Sequence, residues 1–242
     1  MSKEKDELIR LNKFIANSGL CSRRKADELI NKGLIFVNGE KVKEMGFKVK
    51  SEDKVTYKGK LINPEKSIYI LVNKPKDHIT TYKDTHGRKT VMDLIGDACE
   101  ERVYPVGRLD RNTTGLLLIT NDGELTKKLT HPQNHIKKLY HVSLNRPVKE
   151  SDLQTLVDGL ELEDGPALAD KASYVNSNKG KKEVGVEVHS GRNRMIRRMF
   201  EKLGYKINSL DRVMYAGLTK KNLQKGKWRY LKKKEVDFLK ML

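Results

Sequence analysis

Positive charge gathers at the two ends of this chain, and at both ends apolar residues are threaded through it at regular intervals. Residues 1–62 hold 15 basic and 9 acidic side chains, residues 63–190 hold 19 of each, and residues 191–242 hold 16 basic against 4 acidic. The periodic apolar residues argue against a disordered basic tail, which would lack the apolar area to offset chain entropy. A net charge of +18 arranged this way is an electrostatic footprint for a polyanion, with nucleic acid first and an anionic membrane second. At 242 residues the chain is long for one domain and comfortable for two.

Other classes are excluded by what the chain lacks. Its longest unbroken apolar run, Ile68–Val72, is far short of the roughly 20 residues that span a bilayer. Met1 to Lys13 alternates charges and has no apolar stretch like that of a signal peptide. Two cysteines, Cys21 and Cys99, fit neither a disulfide framework nor a CxxC metal knuckle. His131 and His135 are four apart, but Pro132 between them argues against a helix presenting both to a metal. The expectation is a soluble, reduced, cytoplasmic protein, a monomer with no membrane partner and no metal site.

In the first segment Leu11, Phe14 and Ile15 mark a helix running from Leu8 to Ser18-Gly19. Ser22 is placed to cap a second helix with Ala26, Leu29 and Ile30 inward and Gly33 as its stop. Ile35 and Val37 alternate as a strand before Asn38-Gly39, a two-residue hairpin signal. Arg23, Arg24 and Lys25 occupy the first turn of the second helix, where the helix dipole disfavours cations. A solvated face is the plain reading; a bound RNA phosphate would turn the cost into a gain.

Asn63–Lys66 reads as a linker, and Ile68–Val72 as a buried strand from whose end Lys74 projects before Pro75 turns the chain away. Val91–Ile95 reads as a short helix, and Leu116–Ile119 as an apolar strand followed by an Asn121-Asp122-Gly123 turn. Asp110 therefore falls in a loop between Gly107 and Gly115, flanked by Arg108 and Arg111. Two such cations would keep it ionised, as suits a nucleophile that needs no proton removed. Further on, Tyr140, Val142 and Leu144 share one face of a strand. Val184, Val186 and Val188 form another, and Met195 to Leu203 a helix stopped by Gly204. Arg194, Arg197 and Arg198 lie on the other side of that helix. So few acids are nearby that Arg192 and Arg194 are read as phosphate contacts.

Two resemblances sharpen this picture. Leu11–Phe14, Gly19–Arg24 and Val37–Gly39 resemble the alpha-L RNA-binding module known from a small-subunit ribosomal protein, which implies binding to structured RNA. Gly107-Arg108-Leu109-Asp110, then Thr113-Thr114-Gly115-Leu116-Leu117-Leu118 and Thr120–Gly123, resembles the central motif of the RsuA/RluB-type pseudouridine synthases. Lys74-Pro75 resembles that family's first motif, with Asp77 where many members carry Gly. Lys137–Val142 resembles its tyrosine motif and Gly191–Arg198 its last motif. The resemblance runs over nearly the whole chain, in order, and the Arg192–Phe200 stretch is most like the RluB-type large-subunit members.

The family isomerises uridine to pseudouridine in ribosomal RNA, detaching uracil from C1′ and rejoining it through C5, with no cofactor. The resemblance implies that Asp110 acts at the ribose, either attacking C1′ or abstracting a sugar proton. It implies that Tyr140 stacks on the flipped uracil and that Arg197 pairs with Asp110. Leu210 packs near the uracil pocket, while Lys74, Arg108, Arg192 and Arg194 join Arg23, Arg24 and Lys25 in binding RNA. The partner is ribosomal RNA or a subunit assembly intermediate. The implied fold class is α+β, with a tail at 1–8, the alpha-L module at 9–62, a linker at 63–67 and the catalytic domain at 68–242. That domain is built on a mixed, mostly antiparallel sheet split near residues 120–145. Two rivals come from other classes: a non-catalytic RNA-binding or ribosome-assembly factor, and a metal-dependent nuclease using Asp110 and Asp122.

Overall fold

The computed structural model describes residues 8–175 and 180–242. The chain forms two compact units, the first running to Ser67 and taking in Cys99–Arg102, the second holding Ile68–Ala98 and Val103–Leu242. Of the tail at 1–8, only Leu8 lies within the described residues.

In the first unit, α1 (Leu11–Asn17) and α2 (Arg23–Asn31) pack on a four-stranded sheet containing Ile35–Val37, Glu40–Val42, Val55–Tyr57 and Lys60–Leu61. Leu11, Phe14, Ile15, Ala26 and Ile30 fill its core. Ser22 Oγ accepts from the Lys25 N–H at 3.3 Å and so caps α2. Asn38 and Gly39 both take positive φ (51° and 88°), as a type I′ hairpin turn requires. Leu8–Arg10 is not helical, contrary to the apolar pattern: Ile9–Arg10 pairs as a strand with Lys48–Val49, and α1 starts at Leu11. The connecting segment contains no helix or strand, but Glu65 N–H donates to Asn17 O at 2.9 Å, so it is anchored to this unit.

The second unit is built on a nine-stranded sheet. Its main path runs Lys171–Tyr174, Glu183–Val188, Lys138–Leu144, Ile207–Tyr215, Thr114–Thr120, Tyr69–Lys74, Trp228–Tyr230. Every pairing is antiparallel except Ile207–Tyr215 with Thr114–Thr120, which is parallel. That parallel seam divides two cores. One gathers Val142, Leu144, Val184, Val186 and Leu210 under the helix Met195–Lys202, and the other gathers Leu71, Leu116, Leu118, Leu125, Leu129 and Leu239. The chain crosses between the halves from Thr120 to Lys138, within the predicted span. The Thr114–Thr120 strand is buried along its whole length, which explains its unbroken apolar run.

In chain order the helices of this unit are α3 (Val91–Ile95), α4 (Gly123–Thr130), α5 (Glu150–Asp158), α6 (Met195–Lys202) and α7 (Lys233–Met241). Asn121-Asp122-Gly123, read as a turn, is instead the start of α4, with Asp122 Oδ1 accepting from Leu125 N–H at 2.9 Å. Arg194 precedes α6 rather than lying on it, in a left-handed conformation (φ 47°). No helix among the described residues is long and apolar enough to cross a membrane.

Candidate active site

Backbone register sets one row of residues across the second unit's sheet. Lys74 is the partner of Gly115, Gly115 of Arg212, and Arg212 of Tyr140. Gly115 is required here: its φ is +109°, and a Cβ would lie 2.3 Å from the Arg212 carbonyl oxygen. The two central strands approach too closely for any side chain at this point.

Asp110 stands just ahead of the Thr114–Thr120 strand, in a turn closed by Thr113 N–H donating to its carbonyl at 3.1 Å. Bonds on both sides fix this turn. Thr80 Oγ1 donates to Leu109 O at 2.8 Å and accepts from Leu109 N–H at 3.1 Å. On the far side, Lys74 Nζ donates to Arg111 O and Pro75 O at 3.0 Å each, and Asp77 N–H donates to Arg111 O at 3.1 Å. Asp77 adopts φ +63°, the left-handed conformation glycine takes without strain and Asp tolerates better than most residues. The Asp110 side chain keeps 34% of its surface exposed, enough to be reached from outside.

The cation facing Asp110 comes from α6. Arg197 Nε lies 3.7 Å from Asp110 Oδ2, within ion-pair range but too long for a hydrogen bond, and Arg197 Nη2 donates to Thr113 Oγ1 at 3.2 Å. The Arg197 side chain is only 13% exposed. Burial and neighbouring Arg194 lower its pKa, while Asp110 works in the other direction. Met195, Ile196, Met199 and Phe200 bury the opposite face of α6, and that packing aims Arg197 at the turn.

Several placements revise the sequence reading. Arg111 does not flank Asp110 as a counter-ion; its guanidinium pairs with Asp77 at 3.1 Å. Lys74 does not project toward RNA. It is fully buried, bound to two carbonyls, and burial pushes its pKa down to about 8 despite attraction from Asp110 and Asp77. Arg192 is committed to Asp164 and to the carbonyls of Gly165 and Pro166. Arg194 is half exposed, 3.6 Å from Glu201, and Arg108 is exposed. Tyr140 is half-buried against the core that Leu210 helps form, and Leu210 is Cα partner to Val142. Asp122 is occupied by its cap and by Tyr69, whose hydroxyl donates to Oδ2 at 2.7 Å, so it serves the fold. In the first unit Arg23 and Arg24 are exposed, while Lys25 pairs with Glu28 at 2.7 Å. Thr80 and Thr113 went unread, because a hydroxyl that clamps a distant backbone carries no local signal.

The buried lysine has a measurable consequence. Lys74 and half-buried Lys138 are both lowered to about 8, chiefly by burial. An unfolded chain holds such protons up to about pH 10.4. Below pH 8 the burial penalty is therefore fully present. Between pH 8 and about 10.4 the unfolded state binds more protons, so both groups make stability rise with pH. In Lys74→Met the rise in urea midpoint from pH 8 to 9.5 is expected to be smaller than in wild type. An equal rise would remove Lys74 as the titrating group.

Comparison with known proteins places the chain in a family. Residues 9–55 match the S4 domain model and residues 68–202 the model described as RNA pseudouridylate synthase. The chain is 40% identical over 235 residues to a protein of Bacillus subtilis (strain 168) named ribosomal large subunit pseudouridine synthase B, covering 96% of each. It is 39% identical over 230 residues to an uncharacterized RNA pseudouridine synthase of Aquifex aeolicus (strain VF5), covering 94% of this chain and 92% of that one. A crystal structure described as a pseudouridylate synthase superposes with a TM-score of 0.68 at 29% identity, covering 96% of this chain and 99% of that one. The partly exposed aspartate on its clamped turn, faced by a helix-borne arginine, thus lies in a chain that carries an S4 domain and belongs to the RNA pseudouridine synthase family.

Proposed function

We propose that this protein isomerises a specific uridine to pseudouridine in large-subunit ribosomal RNA, acting as a monomer in the cytoplasm on free RNA or an assembly intermediate. The observation that carries this reading is the Asp110–Arg197 pair at 3.7 Å, on a turn clamped from both sides and open to approach. The relative from Bacillus subtilis, named for the large subunit, supports the choice of RNA.

In this reading the target nucleotide leaves its stack, at a cost of a few kcal/mol that backbone contacts offset. Asp110 acts at the ribose, attacking C1′ or abstracting a sugar proton, and the C1′–N1 bond breaks. Uracil turns and C5 bonds to C1′, with the Asp110–C1′ bond breaking on the first route or the sugar regaining its proton on the second; N1 takes up a proton and the C5 proton leaves. Tyr140 stacks on the base and assists that proton's removal, while Arg197 positions Asp110. Arg108 and Arg194 meet phosphates, and Arg23 and Arg24 grip structured RNA through the S4 domain.

The test incubates the protein separately with large- and small-subunit ribosomal RNA transcripts and with isolated subunits, then quantifies pseudouridine by nucleoside chromatography. New pseudouridine in large-subunit material alone is the expected result. Formation in small-subunit RNA alone, or in neither, would overturn the proposal.

A further inference from the structure

Asp164 sits at the tip of a hairpin formed by Leu160–Leu162 and Gly165–Ala167, a two-stranded piece outside the nine-stranded sheet. Its carboxylate receives two guanidinium groups at once. Arg198 donates to Oδ1 at 2.6 Å and to Oδ2 at 3.1 Å. Arg192 donates through Nε to Oδ2 at 3.1 Å and through Nη2 to Oδ1. One carboxylate thus faces two guanidinium groups, with the neighbouring Glu163 also acting on Arg198. The two arginines hold the Asp164 carboxyl well below the usual carboxylate range, so it stays ionised under any ordinary assay condition.

A guanidinium offers a carboxylate the same two-pronged fork that it offers a phosphate. The location gives that equivalence its meaning. Arg198 is the residue after Arg197, and Arg192 is in the segment leading into α6, the helix that reaches Asp110. On the reading that RNA reaches Asp110, the strand that delivers the nucleotide runs past this helix. Asp164 is 48% exposed while Arg192 and Arg198 keep 28% and 23%, so water and an incoming anion reach the cluster from the carboxylate's side.

We propose that Asp164 is a built-in competitor for RNA phosphate at Arg192 and Arg198. Without RNA the carboxylate holds both arginines, Arg192 being held also by the Gly165 and Pro166 carbonyls, and RNA gains the N–H groups that face the carboxylate only by displacing it. Asp164 thereby sets how much phosphate contact an RNA must supply before it is accepted, and so makes a specificity determinant of an acidic residue in a basic domain. This rests on the reading that RNA is the substrate approaching Asp110.

The test compares full-length wild type with Asp164→Asn, which keeps the side chain's shape and removes its charge. Filter binding from 50 to 300 mM salt uses two probes, a large-subunit ribosomal RNA transcript and a 20-nucleotide oligouridine. The variant should bind oligouridine roughly tenfold more tightly, with a salt slope steeper by about 0.7 for each phosphate gained. Its preference for the transcript should narrow, and adding Arg192→Gln and Arg198→Gln should cancel the gain. Asp164→Ser, on the same exposed turn, reads the same quantity should the Asn variant fold poorly. Affinity and slope that stay unchanged or fall, with or without a lower melting temperature, would reduce the cluster to a scaffold and overturn the proposal. Pseudouridine formation by wild type is scored separately: turnover without an affinity gain in the variant removes only the competitor, and a gain without wild-type turnover removes only the synthase reading.

Discussion

Asp110→Asn is expected to lower single-turnover isomerisation by about 10⁴-fold or more, while RNA affinity stays equal to wild type or rises slightly. The size follows from removing a group that acts directly on the reacting sugar, a loss other binding interactions do not recover. An amide is a poor nucleophile and a poor base, so either route at the ribose fails. The fold should survive, because Thr113 N–H bonds to the Asp110 backbone carbonyl, and Thr80 and Lys74 clamp the neighbouring residues through backbone atoms. Affinity should not fall, because a negative charge is removed from a surface that binds a polyanion. Rapid mixing of excess enzyme with labelled RNA measures the rate, and filter binding the affinity. A variant retaining a tenth of wild-type turnover would remove Asp110 from the chemistry.

Gly115→Ala is expected to destabilise the catalytic domain by roughly 4 kcal/mol, from backbone strain at positive φ together with overpacking. The added Cβ would meet the Arg212 carbonyl oxygen at 2.3 Å, its nitrogen at 2.5 Å and its carbonyl carbon at 2.8 Å, all of them backbone atoms. Relief is blocked because Gly115 is paired to Lys74 on one side and Arg212 on the other. In a domain of this size the melting temperature should drop by on the order of 10 °C. Gly39→Ala is the control: it also has positive φ (+88°), but nothing lies within 4 Å of its Cβ position, so only the strain remains. Equal losses in the two variants would show that strand approach is not what requires glycine at 115.

The elements legible in the sequence are those whose local pattern matches their burial. The Thr114–Thr120 strand reads as an apolar run because it is wholly buried, and α6 shows its apolar stripe because Met195, Ile196, Met199 and Phe200 all face one core. Helices α5 and α7 escaped notice for the converse reason: α5 buries Leu153 and Leu156, and α7 buries only Leu239, so neither writes a strong period. Helix α4 was hidden by Asn121-Asp122-Gly123, since the residues that cap a helix are also those that make turns. The parallel seam joins strands almost 100 residues apart and leaves no local trace.

At the site, Asp110, Tyr140 and Arg197 were named through motif resemblance, which carries information that composition does not. The contacts that left no trace in the sequence are those of cations whose partners are distant along the chain. Arg111 turns to Asp77, Arg192 and Arg198 to Asp164, and Lys74 to the Arg111 carbonyl. Charge counts over a segment gave them no nearby carboxylate, yet a single acid on a hairpin serves two of them.

The central claim, that Asp110 drives uridine isomerisation, is tested most directly with ribosomal RNA tritiated at uracil C5, incubated in chelator and moderate salt. Forming the new bond at C5 expels the C5 hydrogen, so tritium released to water counts turnovers. Release by wild type and none by Asp110→Asn is the predicted result. Wild-type and variant proteins that both bind this RNA but release no tritium, on free RNA and on subunits alike, would contradict the account and leave a protein that binds RNA without modifying it.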